Sequence, residues 1–163
     1  MSEIGDKIQE KCLAFGDRII KLNDYLLSSA VAAHESYKKT AYQKKGKQTS
    51  YIKPQTSDFS VAAVPVYLQA VSALCNQLLR SGTSIGANNA EATNAVSKTD
   101  YRSKSYIALK EARESLYWIE LLHRNGYLND KQYESIYADC EELVRLLVHR
   151  CKKIDEQLKE EKK

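Results

Sequence analysis

The chain has 163 residues with 43% hydrophobic and 28% charged side chains, a composition that supports one packed domain (1–163) rather than a disordered chain or two domains. Only two prolines and six glycines interrupt it, which favours long helices over many short strands. No stretch approaches 18 uncharged apolar residues, and the first residues lack the basic-then-apolar order of a signal peptide, so a cytoplasmic protein without a membrane span is expected.

The net charge of +4 is unevenly spread. Between Ser36 and Ser57 stand six lysines and no acid, which leaves −2 for the remainder. The four cysteines, Cys12, Cys75, Cys140 and Cys151, form no Cys-x-x-Cys pair. They read as reduced core residues.

In the first helix Ile8, Cys12, Phe15, Ile19, Leu22 and Leu26 recur at steps of three and four, one apolar stripe on an α-helix. The pattern can extend through Ala30–Ala33 towards Tyr37. From about Lys38 to Ser60 periodicity is lost, and Lys, Gln, Thr and Ser dominate around Gly46 and Pro54, so a long loop is expected there. A second helix is expected from about Ala62 to Val96, with Pro65 in its first turn, where a missing N–H costs nothing. Its Gly82, Gly86 and Ala90 are four apart and would let a neighbouring helix come close. A third helix is expected from an Asp100 N-cap to about Arg124, closed by Asn125-Gly126, with Ile107, Glu111, Glu114, Trp118 and Leu121 as its stripe. Asn129 and Gln132 make a capping box for a fourth helix, whose stripe runs Tyr133, Ile136, Cys140, Leu143, Leu147, Cys151, Ile154 and Leu158. The tail, residues 156–163, should fray. The expected fold class is all-α, an antiparallel up-down four-helix bundle with a long basic loop between helices one and two.

Catalytic chemistry finds little support. Glu120-Leu-Leu-His123 fits one half of a di-iron motif, but no second Glu-x-x-His exists, so neither metal nor other cofactor is expected. Ser81-Gly82-Thr83-Ser84-Ile85-Gly86 lacks the Gly-Lys-Ser/Thr of a phosphate loop. Glu111 and Glu114 could serve as an acid pair. The simpler account is a structural polar network of Gln77, Arg80, Ser84, Asn88, Glu91, Glu111 and Glu114 between helices two and three, with Arg80 bonded to a glutamate inside the bundle. The chain reads as a non-enzyme.

The basic segment carries the interaction signal. Lys38, Lys39, Lys44, Lys45, Lys47 and Lys53 can meet phosphates, while Tyr42 and Tyr51 can stack on bases of RNA or DNA with low sequence preference. Arg18, Lys21, Arg145, Arg150, Lys152 and Lys153 could extend that surface. The alternative is a homo-oligomeric protein-interaction scaffold that binds no nucleic acid.

The run from Gln77 to Ala92 (QLLRSGTSIGANNAEA), together with Ile107–Glu114, Tyr117-Trp118 and Leu121-Leu122, resembles the bacterial four helix bundle protein family. This family includes proteins encoded in rRNA intervening sequences and the accessory variability determinants of diversity-generating retroelements. The resemblance implies an up-down bundle assembled as a homopentamer. For the retroelement branch it implies binding to nucleic acid and to a reverse transcriptase.

Overall fold

The computed structural model describes the backbone of residues 3–45 and 63–161, and the side chains of 6–36 and 68–161. Among the described residues four helices follow one another: α1 (Glu3–Lys45), α2 (Ala63–Thr93), α3 (Lys98–Arg124) and α4 (Asp130–Glu160). They form a four-helix bundle in which each helix runs antiparallel to its neighbours. Cys12 and Ile19 of α1 lie against Gly86 and Gly82 of α2, Ser81 of α2 meets Ser115 of α3, and Ala112 of α3 meets Cys140 of α4. No described helix is long and apolar enough to cross a membrane.

The stripes of α1 and α4 lie in the core as their spacing predicts. Ile8, Cys12, Phe15, Ile19 and Leu26 on α1 are buried, as are Ile136, Cys140, Leu143, Leu147, Cys151 and Ile154 on α4. All four cysteines are free and buried, and burial pushes the Cys12 thiol up to about 11 and the Cys140 thiol up to about 12. The glycine strip of α2 works as expected. A Cβ on Gly82 would stand 2.9 Å from Ile19 Cγ1, so α1 uses the space that glycine leaves.

Four expectations need correction. The loop expected from Lys38 does not begin there, because α1 continues to Lys45. The run KKTAYQKK lacks apolar periodicity but also lacks glycine and proline, and Lys, Ala and Gln are good helix formers. The N-cap of α3 is Ser97, not Asp100. The Ser97 side chain accepts from the Asp100 N–H, while Asp100 Oδ2 accepts from the Val96 N–H at 3.2 Å. The buried face of α3 is Ser105, Ala108, Ala112, Ser115, Ile119 and Leu122, joined by Leu109, rather than the Ile107–Leu121 stripe. Small residues bring α3 close to α2 and α4, while Ile107, Trp118 and Leu121 are only half-buried. The tail does not fray from 156: α4 is helical to Glu160, and Glu161 pairs with Lys98.

The α3–α4 turn is built as its sequence suggests. Gly126 takes φ +75, its N–H donates to His123 O, and the Tyr127 N–H donates to Leu122 O, the two bonds of a Schellman motif. Asn129 and Gln132 then complete both bonds of the capping box.

Candidate nucleic-acid interface

The basic run splits across two parts of the chain. Lys38, Lys39, Tyr42, Lys44 and Lys45 belong to the last turns of α1 by backbone, and their side chains lie outside the described residues. Lys47, Tyr51 and Lys53 lie wholly outside them. Continuation of α1 to Lys45 puts four of the six lysines on a helix instead of a loop.

The other candidate cations fall into four kinds. Lys21, Lys152 and Lys153 are exposed on helix surfaces. Arg145 is exposed but bonds Glu141 Oε2 at 2.8 Å, one turn away. Arg18 spans to α4, where it pairs with Asp139 and donates to Ser135 Oγ at 2.9 Å. Arg150 is no surface group: it is 6% exposed and sits in the core. The outer face of α4 therefore offers Arg145, His149, Lys152 and Lys153 within two turns, below an acidic stretch of Glu134, Glu141 and Glu142.

The polar network expected between α2 and α3 is on the outer side of that seam, not within the bundle. Gln77, Arg80, Glu91 and Glu114 are exposed, and Ser84, Asn88 and Glu111 are half-buried. Glu91 pairs with Lys104, Glu114 accepts from Trp118 Nε1 at 3.0 Å, and Asn88 donates to Ser84 O one turn back. Arg80 forms no hydrogen bond with Glu111 or Glu114; its field alone reaches Glu111. Partial burial raises the Glu111 carboxyl, the nearby Glu114 adds to the rise, and Arg80 opposes both. The expectation was out of phase by one residue, since α2 buries Ser81, Ile85 and Asn89 and leaves Arg80, Ser84 and Asn88 outside.

The polar network that the core does hold joins three helices. Arg150 of α4 donates through Nη1 to Asn89 Oδ1 of α2 at 2.5 Å, and Asn89 Nδ2 donates to Gln9 Oε1 of α1. Asn89 is fully buried, and the Arg150 guanidinium also lies 5.7 Å from the Tyr101 ring centroid. No carboxylate pairs with Arg150 among the described residues. A signal for this network was present: Asn89 stands four after Ile85, and Arg150 three after Leu147, both in stride with their stripes.

Glu120 and His123 are both engaged in local contacts. Glu120 pairs with Arg124, and His123 Nε2 lies 2.8 Å from Asp130 Oδ1 with its ring stacked on Tyr133 at 4.1 Å. Among the described residues no three His, Cys, Asp or Glu side chains gather as a metal set. At the far end of the bundle Thr99, Arg102, Asp155, Leu158 and Lys159 line a cleft of about 430 Å³. Asp155 accepts there from Arg102 Nε at 2.5 Å and from Tyr106 Oη at 2.6 Å, and these bonds hold its carboxyl below the usual aspartate range.

Residues 62–149 match the model of the 23S rRNA-intervening sequence protein family. A solved structure of similar fold is a protein of unknown function from the S23 ribosomal protein family of Bacteroides thetaiotaomicron. It shares 33% identity over 91% of this chain and 98% of its own, with a TM-score of 0.62. No curated protein matches.

Proposed function

The chain belongs to the 23S rRNA-intervening sequence protein family, and from that premise we propose that it is a non-catalytic, homo-oligomeric accessory protein of the cytoplasm that binds RNA or DNA through its basic segment. The observation that carries this reading is the acid-free run of six lysines between Ser36 and Ser57, with Tyr37, Tyr42 and Tyr51 among them. Lysines neutralise phosphates and release counterions without reading sequence, and tyrosines stack on any base. In a ring of protomers these segments pool their charge, so contacts that are weak singly become strong in sum. The assembly proposed is a homopentamer, and a reverse transcriptase is a protein partner consistent with the retroelement branch of the family. The four buried thiols suit a reducing compartment.

The test compares RNA and DNA binding by the whole protein and by a variant with Lys38, Lys39, Lys44, Lys45, Lys47 and Lys53 changed to Gln. The variant should bind far more weakly and with a shallower dependence on salt. Equal affinity and equal slope in the two proteins remove the basic segment as the binding element. Light scattering should give the mass of five protomers; a monomer at micromolar concentration refutes the assembly, and a dimer or tetramer refutes the count.

A further inference from the structure

Arg150 crosses the interior of the bundle. It stands on α4 and bonds Asn89 on α2, although these two helices face each other diagonally and are not neighbours. Only one edge of its guanidinium is used. Nη1 donates to Asn89, while Nη2 is buried and has no hydrogen-bond partner among the described residues. A guanidinium cannot shed its charge by losing a proton, and a buried charge without a counter-charge opposes folding far more than a buried neutral group does. The groups around it are neutral. Asn89 supplies a carbonyl dipole, and Tyr101 a ring face at 5.7 Å. The Cys12 thiol is pushed up by burial and stays protonated. Asp155, five residues further along α4, is already bonded by Arg102 and Tyr106.

A second unpartnered group enters the same layer from α3. Ser105 is 0% exposed, and its Oγ has no hydrogen-bond partner among the described residues. A buried helical serine can satisfy itself on the carbonyl one turn back, as Ser115 does on Glu111 O at 2.9 Å, but Ser105 does not. Its chain neighbours fix its height. Lys104 pairs with Glu91 of α2, and Tyr106 Oη donates to Asp155 of α4. Asn89 lies two residues before Glu91, and Arg150 five before Asp155, so Ser105 meets the core where Arg150 crosses it.

We propose that Arg150 Nη2 and Ser105 Oγ together hold a buried monatomic anion of the chloride type, as the counter-charge of the guanidinium. Water there would satisfy hydrogen bonds but not the charge. Two donors suit a single-atom anion, whereas sulfate or phosphate brings four oxygens that each lose their hydration. With Arg150 only 6% exposed, no face of it is open to a carboxylate of another chain. Gln9 and Tyr101 are half-buried, so the network meets solvent at these two residues, and the ion exchanges there. The site stands apart from the lysine run and does not depend on nucleic-acid binding.

The test is thermal melting of the full chain at fixed ionic strength while sodium gluconate is replaced by sodium chloride. An ion bound only by the folded chain raises the melting temperature, here by about 3–5 °C for each tenfold increase in chloride above its dissociation constant. Arg150→Met should lose this response, and in gluconate it should melt at or above the parent. Ser105→Ala removes only an unpartnered hydroxyl, so it should fold, and it should need about two- to tenfold more chloride for the same shift. In crystals grown with bromide, the anomalous signal should lie between Arg150 Nη2 and Ser105 Oγ. Equal melting of the parent in the two salts overturns the proposal and leaves water on the guanidinium. A chloride response that survives Arg150→Met also overturns it, because the ion then sits on surface lysines. Should Arg150→Met fail to fold, an unchanged chloride response in Ser105→Ala with no bromide beside Arg150 overturns it.

Discussion

Two seams hold α1 in the bundle, and they do so by different means. Against α2, α1 packs by close approach: Ile19 fills the space over Gly82, and the Cys12 side chain lies 3.4 Å from where a Gly86 Cβ would be. Against α4 the helices touch least of the four neighbouring pairs, and the visible links are surface ion pairs, Lys11–Glu142 and Arg18–Asp139. Close packing of buried atoms is worth kilocalories and depends on shape. Exposed ion pairs are worth little and are screened by salt. The α1–α2 hairpin is therefore the rigid half of the attachment. The core network of Gln9, Asn89 and Arg150 supplies the buried tie that also reaches α4.

That comparison can be broken at its strongest point first. Asn89→Ala removes the acceptor of a buried guanidinium and leaves a void, so it should destabilise by about 2–4 kcal/mol. Arg150→Met, which removes the charge and keeps the volume apolar, should fall within about 1 kcal/mol of the parent or exceed it. Denaturant titration of both variants decides the matter; equal losses would show that Arg150 is held by more than Asn89.

Next comes the glycine pair. Gly82→Ala forces Ile19 to shift and should cost about 1–3 kcal/mol despite the better helix propensity of alanine. Gly86→Ala meets only an ordinary contact and should be neutral or stabilising by up to about 1 kcal/mol. If thermal melts show the same change in both, close approach does not distinguish the two positions.

The α1–α4 seam should respond weakly. Arg18→Ala should cost less than about 1 kcal/mol, and the loss should shrink further in high salt. A larger, salt-independent loss would contradict the view that this seam is held at its surface.

The smallest effect concerns pH. The Asp155 carboxyl is lowered from 3.8, first by its bond with Arg102 and then by that with Tyr106. A depressed carboxyl stabilises the fold fully above its unfolded value and loses that contribution as pH falls through the folded value. The melting temperature should thus gain a small dependence below about pH 4 that Asp155→Asn removes.

Much of the architecture was legible because α1 and α4 carry large apolar residues at unbroken three- and four-residue steps. The capping box at Asn129 and the Gly126 stop were legible because few residues satisfy those backbone demands. The phase of α3 was not. Its inner face is Ser105, Ala108, Ala112 and Ser115, whose smallness matters more than their polarity, whereas Ile107, Trp118 and Leu121 draw the eye to the wrong side. The same error of one residue put Arg80 inside in place of Ser81. The helical run from Lys38 to Lys45 was hidden for another reason: it carries no apolar stripe, only residues that do not break a helix. The basic segment itself was plain as a charge pattern, since one-signed charge is a property of sequence alone.

The central claim is that several protomers offer their lysine runs to one polyanion, and the salt dependence of binding tests it most directly. A single protomer's six lysines can release at most about six counterions, which gives a slope of log Kobs against log salt no steeper than roughly −5 on duplex DNA. The account predicts a steeper slope for the assembled protein, together with little difference between unrelated sequences. A slope near zero, or affinity unchanged across the salt series, would contradict it.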